Sequence, residues 1–474
     1  MSRMTVGELA GWVEGEILAG DPGTPLGGVA YDSRQVRPGD CFVALPGSRV
    51  DGHDYVGEAA ARGAACALVS RPVPAPPGFS VIRVPDTLLA LGMAAARYRQ
   101  RFDLPVVAVT GSVGKTTTKE MAAAVLGRRY RTLRNAGNLN SEVGLPVVLL
   151  NELGPEHEAA VLEMGMRGLG EIAYLCSIAR PRVAVVTNVG PTHLELLGSI
   201  ENIARAKAEA VQALPPDGVA VLNGDDPRVR AMAALAPGEV ILYSLEGALG
   251  PRFVTVQHLR PAQVPGLPVP GTAFTLVTYA GEAEVVLPAP GRHHVQAALA
   301  AAGVGLALGL SPAEIAGGLA AYRPAGSRQR FVALGDVLIL DDTYNAAPAS
   351  VKAALGVLAE LPGPGRRLAV LGDMYELGEY TEAGHREVGQ AAAQVADRLW
   401  AVGELARWIA EGALDAGMDP GAVEWHREKG EAIRSLLAAL QPGDRVLVKG
   451  SRGMRMEEIV AAIENHLSRL PDGR

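Results

Sequence analysis

Cysteine and long uncharged runs are scarce in this chain, and their scarcity limits what the protein can be. The 474 residues include only three cysteines, Cys41, Cys66 and Cys176, which lie far apart and lack metal-ligand spacing. Each lies in an apolar run, so we predict reduced core cysteines, which favours a cytoplasmic location. No uncharged run is long enough to span a bilayer, and the first residues lack the pattern of a secretory signal. We therefore expect a soluble protein without membrane insertion.

A strong excess of one charge is also missing. The net charge is −7, acidic and basic residues are interspersed, and there is no basic stripe of the kind that binds nucleic acid. An anionic substrate therefore has to be bound by local arginine and lysine residues. Hydrophobic residues make up 48% of the chain, which supports a large core, and the length predicts two or three domains.

The clearest motif is a glycine turn between an apolar run and a polar helix start. Residues 106–109 read VVAV and residues 110–118 read TGSVGKTTT, which predicts a strand, a turn and a helix. N–H groups at a helix start, the helix dipole and the Lys115 ammonium together suit a triphosphate. The hydroxyl of Thr116 is placed to bind a Mg²⁺ ion that bridges the phosphates.

The motif departs from the usual nucleotide-binding loop at one position. That loop has a glycine five residues before Gly114, where this chain has Val109. The alternative is a glycine-rich connection between a strand and a helix, with no ligand. The sequence Lys-Thr-Thr directly after Gly114 favours phosphate binding.

Three stretches of the chain have different patterns and predict three α/β domains. Residues 1–98 predict a small α/β domain, and residues 99–322 predict a central domain with a mainly parallel sheet. Within the latter, the polar residues 137–146 predict a loop, and alternation in residues 273–287 predicts a small antiparallel addition. Residues 323–474 predict a Rossmann-like open sheet without the dinucleotide glycine fingerprint.

Polar residues follow two predicted strands of the central domain. Glu163 lies near the end of the strand 159–165, and His193 lies in the loop after the strand 183–188. Because the carboxyl ends of parallel strands meet at one edge, we expect both to face the same crevice as Lys115. Glu163 either helps to hold Mg²⁺ or caps a loop, and His193 is either a ligand or a structural histidine.

A lysine lies on the apolar face of the helix that is predicted to begin after Ser199. Lys207 follows Ile203 by four residues and precedes Val211 by four. Desolvation would lower its pKa and make the amine reactive. The alternative is a stem that carries the charge to water.

Polar clusters also follow strands in the outer domains. Ser33 and Arg34 follow a short predicted strand and form either a ligand loop or a turn with a solvated arginine. In the C-terminal domain, Asp342, Asp373 and Lys449 end strands. They either line a cleft that faces the central domain or cap helices.

Taken together, the motifs resemble those of the Mur ligases, which build the peptide stem of bacterial cell-wall precursors by ATP-dependent amide formation. The similar core motifs are TGSVGKTTT at 110–118, EMG at 163–165, TNVGPTH at 187–193 and Lys207. Further similar stretches are NLNSEVGLP at 138–146, DDTYNAAP at 341–348, LGDMYELG at 371–378 and VKGSRGM at 448–454. The resemblance covers nearly the whole chain in the same order.

This resemblance implies a fold and an activity. It implies an N-terminal domain that binds a UDP-sugar, a central ATPase domain, and a C-terminal Rossmann-like domain that closes over the nucleotide. ATP and Mg²⁺ are the implied cofactors. The implied substrates are UDP-N-acetylmuramoyl-tripeptide and D-alanyl-D-alanine, which are joined through an acyl phosphate. We expect a monomer.

The resemblance also implies catalytic roles. Lys115 would hold the phosphates, and Thr116 and Glu163 would bind one Mg²⁺ ion. His193 would bind a second ion together with Lys207, which would be carboxylated by CO₂ to a carbamate.

Binding roles are implied in the same way. Arg328 would contact the γ-phosphate and Asp342 the ribose. The implied ATP-binding residues are Thr110, Gly111, Ser112, Val113, Gly114, Lys115, Thr116, Thr117, His294, Arg328 and Asp342. The implied substrate-binding residues are Ser33, Arg34, Asn138, Asn140, Asp373, Glu376, Lys449 and Ser451. His294 and Ala297 stand at or near two positions where the family usually has asparagine, which leaves the adenine contacts open.

Two other classes of protein compete with this interpretation. One is a sister ligase that adds a single amino acid, or a folate polyglutamate ligase, and the segments that begin at Asp373 and Lys449 argue against both. The other is a phosphate-loop switch protein that controls a partner. The cluster at residues 32–34, in an N-terminal domain of its own, argues against a switch.

Overall fold

The first sheet of the protein is small and is built from short apolar strands. The computed structural model describes residues 3–47, 50–74, 76–324 and 326–468. The first elements are β1 (Met4–Thr5), α1 (Val6–Trp12), β2 (Glu16–Ala19), β3 (Pro25–Leu26), β4 (Gly28–Ala30), β5 (Asp40–Val43), α2 (Val56–Ala61), β6 (Cys66–Val69), β7 (Ser80–Arg83) and α3 (Thr87–Arg99). The main sheet has the order β2-β7-β6-β5-β4, in which only β2 is antiparallel to its neighbour.

The central sheet carries the phosphate-loop motif on an inner strand. Its first elements are β8 (Val106–Thr110), α4 (Lys115–Leu126), β9 (Thr132–Arg134), α5 (Gly144–Glu152), β10 (Ala159–Glu163), α6 (Glu171–Ala179), β11 (Val183–Val186), α7 (Leu194–Leu197), α8 (Ile200–Gln212) and β12 (Val219–Asn223). The remainder are α9 (Pro227–Ala231), β13 (Glu239–Tyr243), β14 (Phe253–Ala262), β15 (Gly271–Thr278), β16 (Gly281–Leu287), α10 (Arg292–Ala307) and α11 (Pro312–Ala320).

The strand order of this sheet places a crevice beside β8. The order is β16-β15-β14-β13-β12-β11-β8-β10-β9, parallel from β9 to β14 and antiparallel from β14 to β16. The chain leaves β8 towards β9 and leaves β11 towards β12, in opposite directions. Ligands of open α/β sheets bind at the carboxyl ends of strands at such a switch point.

The third sheet is an open sheet with one antiparallel edge strand. Its elements are β17 (Arg330–Leu334), β18 (Val337–Asp341), α12 (Pro348–Glu360), β19 (Arg367–Gly372), α13 (Thr381–Ala393), β20 (Arg398–Val402), α14 (Arg407–Asp415), β21 (Val423–His426), α15 (Lys429–Ala439), β22 (Arg445–Lys449) and α16 (Glu457–Leu467). The order is β17-β18-β22-β19-β20-β21, and only β17 is antiparallel to its neighbour.

The hydrophobic cores join the first two domains more closely than the third. One buried cluster contains Leu9 and Leu91 of the first domain together with Leu149 of α5. The C-terminal sheet has its own clusters, because alternate residues such as Ile339 and Leu340 pack on opposite faces. The N-terminal and central domains therefore share one core, whereas the C-terminal domain packs around its own sheet.

Much of the predicted architecture is confirmed. The α/β class, the three successive domains and the antiparallel addition are all present. All three cysteines are free and buried, as predicted. The predicted loop at 137–146 is wrong in its last residues, since α5 begins at Gly144. None of the helices in the described ranges combines the length and apolar character needed to cross a membrane.

Candidate active site

Two glycines shape the turn between β8 and α4. Gly111 has φ +147°, and a side chain there would collide with the hydroxyl of Thr187. Gly114 has φ +83° and is the N-cap of α4. Both positions require glycine, because a side chain is strained at these φ values. Val109 needs no such freedom, since it lies within β8.

The middle of this turn is bonded to the loop that follows β11. Ser112 N donates to Asn188 O (3.0 Å), and Val113 N donates to Asn188 Oδ1 (2.9 Å). The helical hydrogen bonds of α4 begin with the N–H of Thr118. The N–H groups of residues 114–117 precede them and are the donors that a phosphate can meet. The main-chain N–H groups of Ser112 and Val113 point into the protein instead.

The ammonium of Lys115 lies against the turn. Its Nζ donates to Gly111 O (2.8 Å) and Ser112 O (3.1 Å). Loss of hydration lowers the pKa of Lys115, while the Glu163 carboxylate opposes this shift and the Arg328 guanidinium adds to it. The structure therefore brings Lys115, Glu163 and Arg328 into one electrostatic neighbourhood.

Glu163 is a buried carboxylate with both oxygens bonded. Its Oε2 accepts from Thr116 Oγ1 (2.7 Å), and its Oε1 accepts from Asn140 Nδ2 (2.8 Å). Asn135 fixes the main chain of the same residue, since its Oδ1 accepts from Glu163 N (2.9 Å) and its Nδ2 donates to Glu163 O (3.0 Å). Four hydrogen bonds thus hold Glu163 beside the start of α4.

The oxygen atoms at this point fit a magnesium ion that is shared with a phosphate chain. Within residues 3–47, 50–74, 76–324 and 326–468, no three His, Cys, Asp or Glu side chains are grouped to hold a metal on their own. Thr116 and Glu163 supply a hydroxyl and a carboxylate in contact with each other. Mg²⁺ prefers oxygen ligands and is commonly held by one or two protein groups, with phosphate and water completing its shell.

Lys207 is buried in α8 with only 2% of its surface exposed. In the part of the chain that the structure describes, its ammonium has no hydrogen bond or ion pair. Burial lowers the pKa of Lys207 well below its ordinary value, and the nearby charge of Lys115 adds to the effect. The alternative in which the stem carries the charge to water is therefore wrong, and the amine is neutral at pH 7.

The loop after β11 reaches the C-terminal domain through His193. Its Nδ1 lies 2.6 Å from Glu376 Oε2. The two residues have φ of +57° and +64°, a left-handed conformation that non-glycine residues keep mainly at functional sites. Burial lowers the pKa of His193; Glu376 opposes this shift, and two nearby lysine ammonium groups add to it. Beside this contact, Gly378 lies against the backbone of Glu195.

The linker into the C-terminal domain is held by the loop after β18. The guanidinium of Arg328 stacks 4.0 Å from the ring centre of Tyr344. Gln329 N donates to Asp342 Oδ1 (3.2 Å), and Lys449 Nζ donates to Asp342 Oδ2 (2.6 Å). Burial raises the pKa of Asp342, although Lys449 opposes the shift. The structure thus pairs Asp342 with Lys449, two residues that had separate predicted ligands.

A cavity of about 640 Å³ lies between the central domain and this linker. Its walls include Leu267, Pro290, His294, Gln329 and Phe331. His294 donates from Nδ1 to Pro290 O (2.7 Å), and His293 donates from Nε2 to Gln329 Oε1 (3.0 Å). The predicted ATP-binding residue His294 therefore faces a space large enough for a nucleobase.

We expect His294 to make the folded protein sensitive to acid. Burial lowers its pKa to about 4, partly opposed by the hydrogen bond to Pro290 O, whereas an unfolded histidine titrates near pH 6.5, roughly. The unfolded chain therefore binds more protons between these values, so the stabilisation is complete above about pH 6.5 and is lost towards pH 4. Between pH 7 and pH 5 the loss should be about 2 kcal/mol. His294→Asn should show a smaller fall in Tm over this range, and equal falls would contradict the assignment.

The structure gives most of the predicted C-terminal substrate residues structural partners. Asp373 Oδ1 accepts from Ala406 N (2.7 Å) just before α14, and Ser451 Oγ accepts from Tyr375 N (2.9 Å). Burial raises the pKa of Asp373. Glu376 differs, because its side chain is 49% exposed and faces the central domain.

The remaining predicted substrate residues lie in two loops. Ser33 is buried in the first domain, and Arg34 is exposed there and pairs with Asp32 (2.7 Å). In the loop after β9, Asn138 is exposed, while Asn140 bonds to the buried carboxylate described above. Asn140 is thus placed to orient Glu163, whereas Asn138 is accessible to a ligand.

Three residues that contribute to the site were missing from the sequence prediction. Asn135 follows the end of β9, Asn188 follows the end of β11, and Gln329 precedes β17. Each bonds to a residue distant in sequence, so no local pattern indicates its partner. The available signal was only an amide side chain directly after a strand, a position where such residues commonly bond to backbone.

Comparisons with known proteins agree with this site. Family models match in chain order: "Mur ligase family, catalytic domain" at residues 25–99, "Mur ligase middle domain" at 109–305 and "Mur ligase, glutamate ligase domain" at 327–452. The chain is 39% identical to the UDP-N-acetylmuramoyl-tripeptide--D-alanyl-D-alanine ligase of Escherichia coli strain K12, over 98% of this chain and 99% of that protein.

Solved structures are similar over the same length. A crystal structure of MurF from Acinetobacter baumannii has a TM-score of 0.88 and 35% identity, covering 98% of this chain and 99% of that one. A structure of MurF ligase from Thermotoga maritima in complex with ADP has a TM-score of 0.81 and 30% identity, covering 93% and 98% of the two chains.

Proposed function

This chain belongs to the Mur ligase family, and we propose that it joins D-alanyl-D-alanine to UDP-N-acetylmuramoyl-tripeptide with ATP as the phosphoryl donor. The observation that carries the proposal is the 39% identity to a ligase of that name over nearly the full length of both proteins. The arrangement of Lys115, Glu163 and Arg328 around the turn after β8 supports it, because these groups suit a triphosphate.

The reaction has two steps on the substrates. The terminal carboxylate of the tripeptide attacks the γ-phosphorus in line, which gives an acyl phosphate and ADP. The amine of the dipeptide then attacks the activated carbonyl carbon, and phosphate leaves as the amide forms. The chain itself contributes alignment of the reactants and neutralisation of charge that develops on the transferring group.

Lys115 and Arg328 are the cations that we assign to this neutralisation. The N–H groups of residues 114–117 hold the phosphate chain at the start of α4. Lys115 adds its charge from the same turn. Arg328 approaches from the linker of the C-terminal domain, so that its contact depends on how the domains are arranged.

Two magnesium sites belong to the proposal. Thr116 and Glu163 would hold one ion, and His193 and a carboxylated Lys207 a second; bound Mg²⁺ supplies charge that polarises phosphoryl oxygens. The buried, partnerless and neutral amine of Lys207 supports carboxylation, since only an uncharged amine attacks CO₂. His193 lies close enough to Lys207 for their charges to interact.

The nucleoside would lie towards the cavity beside the linker. We place the adenine near His294, with Asp342 contacting the ribose after a shift of its bond to Lys449. The UDP-sugar would bind to the first domain at Ser33 and Arg34. We assign the domain boundaries as 1–98, 99–322 and 323–474, and the chain acts as a monomer in the cytoplasm.

A substrate-omission experiment tests the proposed function. Incubation with ATP, Mg²⁺, the UDP-tripeptide and D-alanyl-D-alanine should release phosphate, and mass analysis should show the joined product. Leaving out either acceptor should stop phosphate release. Release without both would favour a nucleotide switch, and a product with single D-alanine in place of the dipeptide would favour a sister ligase.

A further inference from the structure

The turn after β8 is unusually short for a phosphate loop, so its shape has to be stabilised from outside. Val109 is the fourth residue of β8, and the strand continues through Thr110. The turn consists only of residues 111–114, with Gly111 and Gly114 at its ends. Four residues offer few hydrogen bonds among themselves.

One carboxamide satisfies both main-chain groups of the middle residue. Asn188 Oδ1 accepts from Val113 N (2.9 Å), and Asn188 Nδ2 donates to Val113 O (3.0 Å). This is the pair of bonds that a neighbouring strand would make to one residue. The neighbouring groups reinforce it: Thr187 Oγ1 donates to Val113 O (2.7 Å), and Ser112 Oγ donates to Gly190 O (3.0 Å).

The loop that carries Asn188 is itself fixed to the sheet. Asn223 Nδ2 donates to Thr187 O (2.8 Å), and Asp226 Oδ2 accepts from Val189 N (2.8 Å). Both partners lie at the end of β12, the next strand of the sheet. Asn188 therefore transmits the position of two parallel strands to the turn.

We propose that Asn188 is a positioning residue for nucleotide binding. It holds Val113 so that the N–H groups of residues 114–117 and the Lys115 ammonium converge on one point before a nucleotide arrives. Preorganised donors bind more tightly because the ligand does not have to order them. This inference rests on the nucleotide-binding role proposed for the turn and adds the residue that shapes it.

Asn151 offers a matched control within the same chain. Its Oδ1 accepts from Val29 N (2.7 Å) and its Nδ2 donates to Val29 O (2.9 Å), so it makes the same pair of bonds. It links α5 to β4 of the first domain and does not touch the turn. Removing either carboxamide deletes the same two hydrogen bonds at different junctions.

Calorimetric titration of the full chain with ADP and Mg²⁺ tests the proposal. Asn188→Ala should weaken ADP binding about thirtyfold, as the loss of two buried hydrogen bonds implies. Asn151→Ala should bind ADP within about twofold of the wild type, although a similar loss of Tm is expected from the same two bonds. Equal ADP affinity in wild type and Asn188→Ala would overturn the inference, whereas no binding by wild type would overturn the proposed function instead.

Hydrogen exchange on the wild-type chain gives a second test that needs no variant. The amide protons of Ser112 and Val113 should exchange slowly with and without ADP, because Asn188 accepts from both. Those of residues 114–117 should gain protection only when ADP and Mg²⁺ are present. Protection of Ser112 and Val113 that appears only with nucleotide would show that the turn is not held in advance.

Discussion

Replacing Lys115 with methionine is expected to lower kcat by about three to five powers of ten, the range seen when a cation that meets a transferring phosphoryl group is removed. Methionine keeps most of the length of the side chain and removes its charge. The ammonium lies at the start of α4, between the Glu163 carboxylate and Arg328. Charge on the transferring group is greatest in the transition state, so kcat should fall more than the affinity for ADP.

Steady-state phosphate release with both acceptor substrates measures this loss. Lys352→Met is the control, because its ammonium is 44% exposed and pairs with Glu387 on the surface. Such exposed pairs contribute little, and this variant should stay within about twofold of the wild type. A Lys115→Met enzyme that retains a tenth of the wild-type kcat, roughly, would place the cation away from the reacting phosphorus.

Replacing Lys207 with alanine is expected to lower kcat by about a hundredfold or more, because even indirect metal partners contribute that much. The amine is buried, neutral and without a partner among the described residues, which is the state that reacts with CO₂. Its nitrogen attacks the carbon of CO₂, a proton is released, and the product is an anionic carbamate. Two oxygens then replace one amine at a point close to His193.

Two further results separate carboxylation from a simple role in packing. Acetate or formate should restore part of the activity of Lys207→Ala, because a small carboxylate fits the space of the deleted side chain. Lys207→Arg should be inactive and should not respond, since its guanidinium fills that space. With ¹³C-labelled bicarbonate, the wild type should give a carbamate carbon signal that Lys207→Ala lacks. Absence of that signal in active wild-type enzyme would refute the modification.

The phosphate loop and its neighbours were predictable because their signals are local. The apolar run before Gly111 and the polar residues after Gly114 predict β8 and α4 at nearly the observed residues. The expected crevice also follows from a rule of topology, since parallel strands end at one edge. Ser199, with its side chain accepting from Asn202 N (3.2 Å), marked the start of α8 in the same way.

The elements that escaped prediction have weak or misleading local patterns. The helix α5 begins with Gly144 and contains Pro146, which are typical of loops, yet proline is tolerated in the first turn because its missing N–H has no helical partner there. The strand β2 is mostly exposed and forms a sheet edge, so it has no buried alternation. Its pairing with β7 depends on tertiary structure.

Contacts between distant loops were beyond sequence reasoning for a different reason. Glu376 and His193 are separately recognisable, but their 2.6 Å approach depends on how two domains meet. The bond between Asp342 and Lys449 likewise joins the ends of two strands from different parts of the chain. A single sequence gives the composition of each loop and not its distance from another.

The burial of all three thiols leaves the surface of the folded chain open to selective labelling. Leu196 and Tyr375 are 57% and 43% exposed on the two sides of the contact between His193 and Glu376. Cysteines introduced at these positions would react with maleimide dyes while the native thiols stay shielded in the core. Energy transfer between the dyes would then report the separation of the domains during turnover, in a chain that keeps its natural cysteines.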